Sequence, residues 1–141
     1  MNDLTSAFEA DVVGRPCRVR RREHDWDFDL QNGRGLAVSC HWRIVSSDGI
    51  ALTEEDDKQW FGLAEPIDAA MRATALFAGA TVTSVKVDQT TADLCLGFSN
   101  GLRLDLFNNS AGYEGWKGSF MLEDGRGCSI IALGGGGLSF F

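Results

Sequence analysis

Thiols, imidazoles and carboxylates are the side chains of this 141-residue chain that could do chemistry. Cys40 stands directly before His41, and neighbouring residues of a strand point to opposite faces, so this pair neither chelates a metal nor forms a thiol–imidazole couple. Cys95 lies between two leucines, which is typical of a packing residue. The spacing of zinc ligands is missing. We therefore predict no catalytic residue, no metal and no cofactor.

A glycine run, Gly134–Gly137, follows an apolar stretch and superficially resembles a phosphate loop. It lacks the Lys-Ser/Thr pair and the following helix of that motif. The run therefore favours either a flexible link or a place where two backbones approach closely. Carboxylates are plentiful, but they lie in turns and loops, where Asp and Glu are common.

The residue types that best suit molecular recognition lie within residues 108–116. They are Asn108, Asn109, Tyr113, Glu114 and Trp116. Tyr, Trp and Asn offer large contact area at low entropy cost. The alternative is that Trp116 anchors a strand in the core and Tyr113 covers it. For a second aromatic segment, residues 59–63, we expect a core anchor rather than a ligand site.

The net charge of −7 argues against general nucleic-acid binding. The charge is uneven, because arginines crowd residues 15–22 and carboxylates crowd another segment. The latter comprises Glu54, Glu55, Asp56 and Asp57. Two interpretations stay open: solvated stretches that attract each other, or a partner surface on which complementary charge raises the association rate. Within the basic stretch, Cys17–Arg20 alternates and predicts an edge strand with its arginines in solvent.

Two stretches share one pattern: an alternating apolar run, an Asn-Gly pair and a second alternating run. The first centres on Asn32-Gly33 and precedes Trp42, and the second centres on Asn100-Gly101 and precedes Trp116. Asn-Gly suits a type I′ turn, whose two central residues both need positive φ. The pattern predicts two β-hairpins whose alternating apolar residues lie in the core.

One segment, about residues 65–78, predicts a helix with Pro66 at its first position and Gly79 after its end. Its expected apolar stripe comprises Ile67, Met71, Thr74, Ala75 and Ala78, and Leu76 and Phe77 widen it. Residues 1–13 lack periodicity and predict a loose lead-in. The expected fold class is α+β, with antiparallel hairpin-rich sheet built from two similar β halves and this helix packed on a face. One long sheet and two packed sheets both remain open.

Composition predicts one domain spanning residues 1–141. At 44% hydrophobic and 23% charged residues, the chain is ordinary globular material. No apolar run is long enough to cross a bilayer, and the N-terminal residues lack a secretory pattern. Four scattered cysteines without a signal peptide are typical of reduced thiols in the cytoplasm.

The layout resembles a family of small bacterial proteins of unknown function, whose members resemble the immunity proteins of polymorphic toxin systems. The resemblance covers roughly residues 26–120 and rests on hairpin and Trp positions within residues 59–63 and 65–66, 81–85, 91–101 and 107–116. It implies a cytosolic bacterial protein that binds another protein, with no catalytic residues to carry over.

We therefore expect a non-enzymatic protein-binding module, immunity-like, that neutralises a toxin or effector by covering its surface. The expected contact patch joins residues 54–57 to the loop from Asn108 to Trp116. One alternative is a small-molecule-binding or enzymatic domain with a pocket between sheet and helix. Another is a homodimer or larger homo-oligomer made by edge-strand pairing.

Overall fold

The computed structural model describes residues 3–141, which form two antiparallel sheets and two α-helices. The helices are α1 (Asp3–Val12) and α2 (Ala69–Phe77), and a 3₁₀ helix spans Glu54–Asp56. The strands are β1 (Arg18–Arg21), β2 (Trp26–Gln31), β3 (Arg34–Val38), β4 (His41–Ser46), β5 (Gly49–Thr53), β6 (Val82–Val87), β7 (Leu94–Phe98), β8 (Arg103–Phe107), β9 (Trp116–Met121), β10 (Gly127–Ala132) and β11 (Leu138–Phe140). The predicted α+β class is confirmed.

The strands form two sheets rather than one long sheet. The first has the order β1-β2-β3-β9-β10-β11 and the second the order β5-β4-β8-β7-β6. Trp42 on β4 packs edge-on against Trp26 and Phe28 on β2, with ring centroids 5.1 and 5.4 Å apart. The inner faces of the two sheets therefore share one core.

Each predicted hairpin is followed by a strand that crosses into the other sheet. Hairpin β2–β3 lies in the first sheet, and β4 then joins the second sheet beside β8. Hairpin β7–β8 lies in the second sheet, and β9 then joins the first sheet beside β3. The order helix, three strands, crossing thus occurs twice, followed by two strands in the first half and three in the second. Each half adds the strands after its crossing to the other half's sheet.

Two sheet edges are covered by the helices and the residues that follow them. The Thr74 hydroxyl of α2 accepts from Val19 N at 2.9 Å and donates to Val19 O at 3.2 Å, as a neighbouring strand would on β1. After α1, Gly14 N donates to Val82 O at 2.7 Å and Val82 N donates to Arg15 O at 2.9 Å, which covers β6. Covered edges are protected from pairing with other chains.

The predicted loose lead-in is wrong for the residues that the structure describes. Residues 3–12 form α1, and Phe8 and Val12 are fully buried against β6 and β9. An apolar stripe this sparse does not stand out from the sequence, because its partner surface comes from distant strands. Residues 1 and 2 lie outside the described residues.

The predicted helix begins later than expected, and the face that it buries shares only Phe77 with the expected stripe. Asp68 is the N-cap, and its carboxylate accepts from Met71 N at 3.0 Å, so Pro66 precedes the helix. The residues that α2 buries are Ala69, Ala73 and Phe77. Phe77 stacks on Phe98 with centroids 4.3 Å apart, which turns Met71 out to 67% exposure. Among residues 3–141, neither helix has the length and apolar character needed to cross a membrane.

The two Asn-Gly turns differ in geometry. Asn32 and Gly33 have φ of 54° and 76°, as the type I′ prediction requires. In the second hairpin only Gly101 has positive φ, 87°, so the type I′ prediction is wrong there. Asn100 instead uses its side chain, because its amide donates to Leu76 O on α2 at 3.0 Å.

The glycine run is a place of close backbone approach, which was one of its two predicted roles. An added Cβ on Gly134 would lie 2.3 Å from Gly112 C, and one on Gly136 would lie 2.2 Å from Thr90 O. Gly135 N donates to Ser110 O at 2.8 Å. The β10–β11 turn is therefore locked against the two loops that precede β7 and β9.

Replacing Gly136 by Ala should destabilise the protein by about 1–3 kcal/mol, because the new Cβ meets the Thr90 carbonyl and the residue keeps a positive φ. Gly112→Ala is the matched control, since an added Cβ there meets nothing within 4 Å. Urea unfolding measures both variants. Equal midpoints for the two would contradict the close approach.

Candidate functional site

The acidic segment (residues 54–57) is a folded element rather than the expected loop. Residues Glu54–Asp56 form the 3₁₀ helix, and Asp56 closes a capping box by accepting from Thr53 N at 2.9 Å. Glu54 Oε1 is in hydrogen-bond contact with His41 Nδ1. Two of the four carboxylates predicted to contact a partner, Glu54 and Asp56, therefore make hydrogen bonds within the protein.

The far end of the acidic segment holds the entrance of α2. Asp57 accepts from Ala69 N at 2.9 Å and lies 3.9 Å from the Arg21 guanidinium. That ion pair is the one link between the predicted basic and acidic stretches among residues 3–141; Arg20 and Arg22 pair with nearby aspartates instead. Glu55 is left exposed.

Asn108 is a structural residue that ties three loops together. Its amide nitrogen donates to Thr91 O at 2.9 Å and to Leu133 O at 2.8 Å. Its backbone N–H donates to Asp93 Oδ1 at 2.8 Å. The side chain also fills the space that a Cβ on Gly115 would need. Asn108, predicted to contact a partner, thus uses its N–H groups for contacts within the protein.

Trp116 belongs to the core, which was the alternative to its predicted contact role. It is 2% exposed, and its indole N–H donates to Ala92 O at 2.7 Å. Tyr113 does not cover it, because Tyr113 is 82% exposed. Asn109 and Glu114 are also exposed, so three of the five predicted loop residues remain at the surface. They line an open cavity of about 730 Å³ beside Cys40.

The aromatic loop (residues 60–63, Trp-Phe-Gly-Leu) is the surface that sequence reasoning missed. Trp60, Phe61 and Leu63 are 56%, 67% and 47% exposed. The expectation that this segment anchors the core is wrong, because its large side chains are exposed. The nearby residue that packs in the core is Ile67, which is 6% exposed. Large apolar side chains grouped at one exposed turn are typical of interaction sites.

A short ladder holds the aromatic loop in place. Lys58 N donates to Ile67 O at 2.7 Å, and Ile67 N donates to Gln59 O at 2.8 Å. The acidic segment leads directly into this ladder, and its other end touches His41, which follows Cys40 at the 730 Å³ cavity. The acidic segment therefore leads into the aromatic loop at one end and contacts His41 at the other.

The tip of the aromatic loop has a strained backbone. Leu63 N donates to Trp60 O at 2.8 Å, which closes a four-residue turn. Both central residues have positive φ, 44° for Phe61 and 75° for Gly62. Asn-Gly is the usual pair in such a turn, and a bulky residue in this region is uncommon. Phe at this position therefore lowers the stability of the folded protein. Residues held in such unfavourable backbone conformations cluster at functional sites.

Two thiols and one carboxylate are held in environments that shift their pKa values or engage them with neighbours. Burial and the neighbouring Asp105 raise the pKa of the Cys95 thiol to about 11, and burial raises that of Cys40 to about 12. Asp105, 8% exposed, accepts from Arg43 at 3.1 Å and from Arg103 at 2.8 Å. Within residues 3–141, no group of three His, Cys, Asp or Glu side chains is placed to hold a metal.

A cavity does lie between α2 and the first sheet, where a ligand pocket was one alternative. It measures about 350 Å³ and is lined by Arg18, Val19, Arg20, Asp29, Met71 and Thr74. The Thr74 hydroxyl is engaged by the β1 backbone at that point. The cavity is therefore bounded by groups that hold helix and strand together.

Comparisons with family models, curated proteins and solved structures found no match to this chain. The resemblance to immunity proteins therefore stays a prediction from the residues.

Phe61→Asn should stabilise the free protein by about 1 kcal/mol, because Asn tolerates positive φ and the lost side chain is exposed. The readout is the urea midpoint. Phe61→Ala, which removes the ring but does not favour positive φ, is the matched control. A midpoint for Phe61→Asn at or below that of the wild type would show that the turn is not strained.

Asp105 should make stability depend on pH. Burial acts to raise the pKa of Asp105, but hydrogen bonds from Arg103 and Arg43 outweigh it and hold the pKa below its usual value. Its stabilisation is present above the ordinary carboxyl pKa of about 4 and is lost as pH falls through the lower folded value.

Asp105→Asn should therefore cost about 1–3 kcal/mol near neutral pH, because the neutral amide leaves the two guanidinium groups with one acceptor oxygen in place of a charged carboxylate. The difference from the wild type should shrink as pH falls below the ordinary carboxyl pKa of about 4. Urea unfolding across this range measures it, and a difference that stays constant with pH would rule the carboxylate out as its source.

Proposed function

We propose that this protein is a non-enzymatic protein-binding module that inserts its aromatic loop into a partner. The observation that carries the proposal is the exposure of Trp60, Phe61 and Leu63 at a turn with strained backbone. Free in water, this tip leaves apolar area hydrated, which is unfavourable. Burial in a partner's pocket recovers that free energy, and Trp and other large side chains dominate such contacts.

The aromatic loop is already ordered in the free protein, which favours binding. The Lys58–Ile67 ladder and the turn at Trp60 already hold the backbone, and the adjacent Ile67 is buried in the core. A preformed contact loses less conformational entropy on association than a flexible one. Binding therefore requires no folding of the loop.

The surviving part of the predicted patch supplies secondary contacts. Tyr113, Glu114 and Asn109 are exposed on the loop before β9, and Glu55 is exposed on the acidic segment that leads into the aromatic loop. Trp116 and Asn108 are left out, because both are committed to internal contacts.

The resemblance noted from the sequence extends the proposal to an immunity-like role. In that role the protein neutralises a toxin or effector by covering its surface, and the gene beside its own encodes the partner. Co-expression with that neighbouring product tests the role: growth rescue by the wild type and none by a Trp60→Ala variant is the expected result.

Binding itself is tested with a photoreactive benzoylphenylalanine placed at Trp60 in the native host. We expect one stoichiometric crosslinked protein, absent when the probe stands at Val13, which is 47% exposed after α1. With both proteins purified, Trp60→Ala should weaken the dissociation constant about 30-fold, since such an anchor contributes about 2 kcal/mol or more.

Val13→Ala is the matched control, because it removes exposed apolar area without touching the aromatic loop. Equal dissociation constants for Trp60→Ala and the wild type would contradict the proposal. So would crosslinks that appear equally from both probe positions.

A further inference from the structure

We infer that the partner presents a basic surface, with Lys and Arg around the apolar pocket that takes the aromatic loop. This inference rests on the proposed function and adds the chemistry of the partner. Residues 54–72, which contain the aromatic loop, hold six acidic residues and two basic ones. The acidic ones are Glu54, Glu55, Asp56, Asp57, Glu65 and Asp68, and the basic ones are Lys58 and Arg72.

Most of this charge is not neutralised within the protein. Asp56 and Asp68 accept from backbone N–H groups, which are uncharged donors and leave the negative charge in place. Among residues 3–141, Glu55, Glu65 and Asp68 form no ion pair, and all three are exposed. The segment that carries the aromatic loop thus keeps a net negative charge, although Arg21 of β1 lies 3.9 Å from Asp57.

The charge decides between three occupants of the aromatic loop. An anionic lipid surface would meet the carboxylates with like charge, which opposes the approach of an acidic protein. A second copy of this chain that docked through the same surface would bring two sets of six carboxylates together, and juxtaposed like charges disfavour such a contact. A protein surface rich in Lys and Arg gains attraction instead.

Electrostatic attraction of this kind acts mainly on the association rate. Opposite potentials steer the encounter, and added salt screens them over a Debye length of about 10 Å at 0.1 M. The apolar anchor acts mainly on the dissociation rate. The two parts of the site therefore have separable kinetic signatures.

The probe is a phage-displayed library of random peptides panned against the full-length wild-type protein. We expect enriched peptides to carry Lys or Arg on both sides of an apolar residue, and their binding to be lost in Trp60→Ala. The double variant Glu55→Lys with Glu65→Lys should slow association about tenfold at low salt and differ little from the wild type at high salt. Glu123→Lys, an exposed acidic residue on the β9–β10 turn, is the matched control and should leave the rate near that of the wild type.

The outcomes separate this inference from the proposed function. Peptides that bind Trp60→Ala as well as the wild type would defeat the proposed function and the inference together. Peptides that need Trp60 but lack Lys and Arg, or whose association ignores the double variant, would overturn the inference alone. Trp60-dependent binding to vesicles of phosphatidylcholine and phosphatidylserine, or Trp60-dependent dimerisation in light scattering, would also overturn it. A panning that enriches nothing counts against it.

Discussion

The carbonyl of Gly115 accepts hydrogen bonds from the backbone N–H groups of both Ser39 and Cys40, at 2.8 and 3.1 Å. This contact joins the two points at which the chain crosses from one sheet to the other. Because β4 and β9 are exchanged there, neither half can complete its own sheet without the other. Each exchanged strand has a tryptophan at its first or second position that contacts a segment on the opposite side of the core: Trp42 packs against β2, and Trp116 donates to the loop before β7.

The strands were predictable because their information is local. Alternating residues such as Phe28, Leu30, Leu94 and Leu96 are buried as the pattern indicates, and Asn-Gly marks both hairpin turns. The exchange of strands was not predictable, because hairpin patterns do not say which sheet the next strand joins. Helix α1 was missed for the same reason, since strands far along the chain complete its packing surface.

In the candidate site, the local sequence predicted the wrong environment for several side chains. Polar and aromatic residues in the loop from Asn108 to Trp116 are typical of recognition sites. In the structure, however, Asn108 and Trp116 hydrogen-bond to other loops near the crossing. The Trp-Phe-Gly-Leu turn resembles a core anchor, yet its side chains are exposed. The signal that could have found it is Phe-Gly at a turn, where Phe61 takes a backbone conformation that favours Asn or Gly. The aromatic loop also lies in the connection between the two repeated halves, where the repeat imposes no structure.

Amide hydrogen exchange of the free protein and of its complex with the crosslinked partner tests the central claim most directly. The account predicts slow exchange at Ile67 in the free protein, because the ladder is already formed, and new protection on binding at Leu63 and its neighbours. Unchanged exchange across residues 58–67, with protection confined to another surface, would contradict it.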